Sequence, residues 1–228
     1  MVLSRKVTKR GHNAKSEKLS RNFSRYSNVF YRMKPDLFNI DIESPMPEKG
    51  SLLIAEPFLR ETFFNHAVIA MIDCEEGRGS MGVVLNRSTG HTLDTLAEGI
   101  SRKVPVFCGG PMSTDRLFYI HTLGDIIPGA SPIVDDLFVG GDFSAMRGYV
   151  EAGYPIEGHI RFFIGYSGWD EGQLRDEMGN HVWATSPMPS DKSSLLTGAD
   201  DTMWHRTVRA LGTPYRNWLY HPSNPSMN

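Results

Sequence analysis

The apolar positions fall into short blocks of alternating or continuous hydrophobicity, separated by glycine- and proline-bearing turns. Leu52–Ala55, Ala67–Ile72 and Met81–Leu85 read as three short strands. The last two are joined by a glycine-rich connection, 74–80, of hairpin character. A helix is predicted from Thr92, with Leu93, Leu96 and Ile100 on one face. Val104–Cys108 and Leu117–His121 are further strands. The turn between them, Gly109 to Asp115, is short enough for antiparallel pairing, and its Gly-Gly-Pro reads as a turn needing positive φ.

Leu137–Val139 is a short strand. Asp142 then caps a helix with Phe143, Met146 and Val150 inside, ended by Gly153. Ile160–Ile164 reads as the most buried strand, followed by a helix over Gly168–Met178 and a strand near Val182–Thr185. Pro187–Leu196 is read as a loop. A last helix runs from about 201 to 211, with Trp204, Val208 and Leu211 as its apolar face, and the tail past Tyr220 is polar. Hairpins in the first half and strand–helix alternation in the second predict α+β with a mixed sheet rather than a doubly wound one.

Charge changes this picture at one end. The 228 residues carry 24 Lys/Arg against 26 Asp/Glu, but ten of the basic residues and only one acid lie in 1–34. The remainder holds 14 basic and 25 acidic residues, a net of −11, and is expected to repel phosphate backbones. The basic leader is open to three readings: a start assigned too early, with Met33 the true beginning; a disordered arm touching nucleic acid or membrane; or a targeting segment. Residues 35–228 are expected to form one domain. No apolar run approaches the roughly 18 residues of a membrane helix. Cys74 and Cys108 form neither a C-x-x-C pair nor a zinc pattern, which fits a reducing, cytoplasmic setting.

Candidate chemistry collects at four places. Gly165-Tyr166-Ser167-Gly168-Trp169 leads into Asp170, Gln173 and Glu177, with Ser167 and Asp170 in capping-box relation. A helix N-terminus there suits an anion, but Asp170 favours a cation or an amine instead; the competing reading is a well-capped helix with Trp169 wedged in the core and Gln173 bonded to a loop. Asp115, Arg116 and His121 follow the Gly109 turn and could supply a base, a clamp and a proton shuttle. The competing reading is an Asp115–Arg116 pair pinning a hairpin, with His121 packed beside it. Asn86 and Arg87 end a strand and, with His66 and Glu56, suit one wall of a pocket. Cys108 reads as a small buried hydrophobe, and Ser167 lacks hydrolase-elbow spacing. No metal-ligand spacing, Walker loop or dinucleotide fingerprint occurs, so no cofactor is expected.

Four stretches in order resemble the bacterial AlgH/YqgE family: Leu53–Leu59 with Val68, Met81–Arg87, Gly109–Pro111 with Asp115–His121, and Gly165–Glu177 with Trp183. The resemblance covers nearly everything from Gly50 to about Leu211. It implies an α+β fold with a bifurcated sheet, part of it a small closed barrel, flanked by helices. It also brings the label of transcriptional regulator and no established catalytic activity. The residues themselves favour a non-catalytic ligand-sensing or protein-interaction module; a regulatory role, with any effect on transcription indirect, is what the resemblance implies. The alternative is a small hydrolase using Asp115, Arg116 and His121 near Gln173. The partner is expected to be a protein or a small molecule, not DNA and not a membrane, and the chain a monomer or homodimer.

Overall fold

The computed structural model describes residues 42–61, 63–75, 77–198 and 202–221. The basic leader and the polar tail past 221 lie outside the described residues. Ten strands form one sheet: β1 (Ser51–Ala55), β2 (Val68–Glu75), β3 (Gly79–Val84), β4 (Ser88–Thr92), β5 (Pro105–Cys108), β6 (Met112–His121), β7 (Ser131–Val134), β8 (Leu137–Val139), β9 (Ile160–Trp169) and β10 (Trp183–Pro187). The helices are α1 (Leu93–Leu96), α2 (Phe143–Glu151), α3 (Gln173–Gly179), α4 (Ser193–Leu196) and α5 (Met203–Ala210). A 3-10 helix, Thr213–Tyr220, follows them.

The main path runs β10-β1-β2-β3-β9-β6-β8-β7, and every pair in it is antiparallel. The sheet is mixed because β5 runs parallel to β9. β9 is also where the sheet forks. One of its edges pairs β6; the other is shared, by β5 over Phe162–Ile164 and by β3 over Ser167–Trp169. The fork separates two cores. One holds Leu52, Ile54, Val68, Val83, Phe163, Trp204 and Trp218; the other holds Val106, Tyr119, Phe162, Met146 and Val150.

The closed barrel is not present. The sheet curls until Val134 on β7 fills the space a side chain on Gly50 would need, yet no ladder joins β7 to β1 or β10. Side chains of α4 close that seam instead: Leu195 and Leu196 enter the first core, and Lys192 reaches Asp135 beyond β7 at 2.8 Å.

Four sequence expectations need correction. Pro187–Leu196, read as a loop, ends in the helix α4 over Ser193–Leu196. The Gly109 turn does not join a β5–β6 hairpin, because β9 lies between those strands, and neither Gly109 nor Gly110 has positive φ. Thr92 starts only a four-residue helix; Leu96 is exposed and Ile100 is buried beyond its end. The helix after β9 begins at Gln173 rather than Gly168, since pairing of Trp169 with Ser80 keeps the chain extended. By contrast, α2 starts as expected: Asp142 accepts from the Ala145 N–H at 2.7 Å, with Met146 and Val150 buried, although Phe143 is exposed.

Candidate functional site

Glu177 organises the opening of α3. It is 4% exposed, and its carboxylate accepts from three donors. The indole N–H groups of Trp169 and Trp183 both donate to Oε2 at 2.8 Å, and the Gln173 amide donates to Oε1 at 2.8 Å. Gln173 also accepts from the Asp170 backbone N–H at 3.1 Å. The chain therefore turns from β9 into α3 around one buried carboxylate, and Gln173, not a Ser167–Asp170 box, caps the turn. Ser167 donates to the Gly109 carbonyl at 3.1 Å. Burial pushes the Glu177 carboxyl up, and hydrogen bonds from Trp183, Gln173 and Trp169 pull it back.

Residues 56–61 and 63–66 lie beside this platform. Phe64 meets Trp183 edge-on at 5.8 Å, and Trp183 meets Trp169 at 6.1 Å. Glu61, at the surface, has its carboxyl raised to about 7 by desolvation and by the charge of Glu177. Sequence reasoning missed Glu61, because only folding places it near a carboxylate 116 positions away.

His66 ends the same segment. It has φ 53°, is 7% exposed, and stacks on Trp204 at 4.0 Å. Its Nε2 has no hydrogen-bond partner among the described residues. Asn86 holds it in place: Asn86 Nδ2 donates to the His66 carbonyl at 2.8 Å, and Asn86 Oδ1 accepts from the Val68 N–H at 3.0 Å. Arg87 donates to the Phe63 carbonyl at 3.1 Å and to that of Asn65. Asn86, Arg87 and His66 thus come together, but Asn86 is spent on the backbone.

Desolvation and the charges of His205, Arg87 and His221 lower His66 to about 4, against the carbonyl of Pro57, which favours its charged form. The unfolded chain therefore takes up this proton first. Stability fully present above the ordinary histidine pKa of about 6.5 is lost as pH falls toward 4, to the extent of about 3 kcal/mol. Urea denaturation at pH 7.5 and 4.5 checks this. In His66→Asn, which tolerates positive φ, the acid loss is expected to shrink by most of that amount; an unchanged loss would refute it.

The proposed Asp115, Arg116 and His121 cluster does not assemble. Asp115 and Arg116 are exposed, and no hydrogen bond or ion pair joins them among the described residues. His121 lies five residues beyond Arg116, on the regular part of β6 past the irregular stretch that holds Asp115 and Arg116, and is 0% exposed. Its Nδ1 accepts from the Leu123 N–H at 3.1 Å, so Nε2 donates to the Gly140 carbonyl at 2.9 Å. It is a neutral, saturated clip, with its pKa lowered chiefly by burial. Burial also raises the Cys108 thiol, away from thiolate reactivity. A cleft of about 370 Å³ lies at the far end of α3, between Glu43, Met46, Met178 and His181, and no candidate residue lines it. No group of three metal-binding side chains occurs among the described residues.

Comparison with known proteins identifies the class to which this forked α+β sheet belongs. A family model described as AlgH-like matches residues 52–216. The chain is 40% identical over 196 residues to a UPF0301 protein of Parabacteroides distasonis, covering 85% of this chain and 98% of that one. It is 37% identical over 195 residues to a UPF0301 protein of Bacteroides thetaiotaomicron, covering 85% and 97%. The solution structure of the AlgH protein from Pseudomonas aeruginosa shares the fold, with TM-score 0.60, 24% identity, and coverage of 79% of this chain and 94% of that one. The chain belongs to the AlgH-like family.

Proposed function

We propose that this chain is a non-catalytic ligand-sensing or protein-interaction module whose site lies where residues 56–61 and 63–66 meet the Trp169–Glu177 platform. The observation that carries this reading is the saturation of the reactive side chains. Glu177, Gln173, His121 and Ser167 all spend their hydrogen-bonding capacity on the protein itself. Such groups hold a shape; they do not shuttle protons. Capacity remains at Glu61, at the surface beside a second carboxylate, and at the His66 lone pair. The exposed Glu61 carboxylate, in the field of the buried Glu177 charge, suits a hydrogen-bond-donating cation such as an amine. The module acts in the cytoplasm as a monomer or homodimer, and any effect on transcription passes through a protein partner. Among the described residues no helix is long and apolar enough to cross a membrane.

A thermal-shift screen of the full chain against primary amines, polyamines, nucleotides and sugar phosphates tests the reading. A ligand at about 100 times its Kd adds roughly 2.7 kcal/mol, or 5–10 °C for a domain of this size. An amine is expected to give that shift, and Glu61→Gln to remove it while leaving the basal melting temperature within a few degrees. Amine shifts equal in wild type and Glu61→Gln would move the site elsewhere. Chemical turnover of any bound compound would end the non-catalytic reading.

A further inference from the structure

Arg161 stands inside the otherwise apolar start of β9, between Ile160 and Phe162. It is 2% exposed. It shares its face of the strand with Phe163 and lies opposite Ile120 of β6, both of them members of the first core. Nη1 donates to the Leu195 carbonyl of α4 at 2.7 Å, and the guanidinium lies over the Phe107 ring, 4.0 Å from its centroid. Nε and Nη2 have no hydrogen-bond partner among the described residues. Burial alone pushes the group down to about 10, with no carboxylate offsetting it. Even there it remains charged at neutral pH.

A buried charge without a counter-ion costs several kcal/mol, so two idle donors on it require an account. Their arrangement supplies one. Nε and Nη2 form the side edge of the guanidinium, the edge that takes two oxygens of a carboxylate or phosphate in parallel. The bond to Leu195 uses the other side and leaves this edge whole.

We propose that Arg161 is the anchor of an internal anion site, and that its ligand is a small monocarboxylate with an apolar body. Charge and lining select that class. One guanidinium is neutralised by one negative charge, whereas a phosphate dianion would bury an excess. Phe107, Phe163, Ile120 and Leu195 offer the rest of the ligand only apolar contact. α4 meets the guanidinium through the Leu195 carbonyl. The site is separate from the one beside Glu61.

The full chain is tested by thermal shift with sodium butyrate, acetate, phosphate and chloride at fixed ionic strength. Its Arg161 Nε–H resonance is followed by 1H–15N NMR under the same titrations. Butyrate is expected to raise the melting temperature saturably and more than chloride, and to move the Nε–H resonance. Arg161→Met is expected to lose the response while melting no lower than wild type in chloride, because it removes an uncompensated buried charge. Arg161→Lys keeps the charge without the fork and is expected to lose at least tenfold in butyrate affinity. No saturable response in wild type would assign the idle donors to water and overturn the proposal. So would an undiminished response in Arg161→Met. Should that variant not fold, an undiminished butyrate affinity in Arg161→Lys or a fixed Nε–H resonance overturns it. A response to phosphate without one to butyrate overturns the ligand class.

Discussion

Replacing Gly110 by alanine is expected to abolish folding. Gly109 to Pro111 carry the chain from β5, on one edge of β9, to β6 on the other. The turn straddles a strand rather than capping a hairpin. A Cβ on Gly110 would collide with the carbonyl carbon and oxygen of Tyr166 and the backbone nitrogen of Ser167. Those atoms belong to the backbone of a central strand and cannot swing aside as a side-chain end would. Gly165, with φ 69°, completes the crossing from beneath, since its own Cβ would meet the Gly110 carbonyl. The strain exceeds the 4–5 kcal/mol that marks exceptional substitutions. Gly148→Ala on α2, with nothing near its added methyl, serves as the control and should gain about 0.5–1 kcal/mol from helix propensity. Soluble yield and circular dichroism check both. A Gly110→Ala protein with wild-type stability would mean that β9 does not run beneath the turn.

Glu177→Ala is expected to cost about 3–4 kcal/mol, a fall of roughly 10 °C in melting temperature. The variant leaves two indole N–H groups and the Gln173 amide facing a cavity. Loss of a partly uncompensated buried charge returns part of that cost. Glu177→Gln should cost only about 1 kcal/mol. Its carbonyl oxygen can take the place of Oε2 for both indoles, so the loss is confined to the Gln173 side, where the new amide either faces the Gln173 amide or turns it over at the expense of the bond from the Asp170 N–H. Urea denaturation followed by tryptophan fluorescence measures both. Equal effects of Ala and Gln would indicate that only the packing of residue 177 matters, not its acceptors.

The parts legible in the sequence are those set by local pattern. Apolar blocks located β1, β2, β3 and β10, and Asp142 marked the start of α2. The parts not legible are those set by distant pairing. β4, Ser88–Thr92, is polar and mostly exposed, so no alternation announces it; it exists through its contacts with β5. β9 runs past its apolar stretch because β3 pairs with Gly168 and Trp169. Alternation placed His121 on a face with Tyr119, and their rings do lie 5.8 Å apart. The Gly140 carbonyl that saturates it arrives from β8, and no local reading supplies that. At the candidate site, Trp169, Gln173 and Glu177 were legible as a group because they share one turn and one helix. Glu61 was not, nor was Trp183 as a donor to Glu177. Arg161 was visible as a lone charge within Ile160–Ile164, a run read as simply apolar.

The central claim is that the Glu177 platform supports a cation-binding site rather than a catalytic one. Its most direct test is the indole region of a 1H–15N spectrum of the full chain, recorded at pH 7.5 with increasing 1,4-diaminobutane. The Trp169 and Trp183 N–H resonances are expected to move together and saturate, because both donate to the one carboxylate beside the bound cation. Indole resonances that stay fixed while the other two tryptophans are equally unmoved, or shifts confined to Trp204 and Trp218, would contradict the claim.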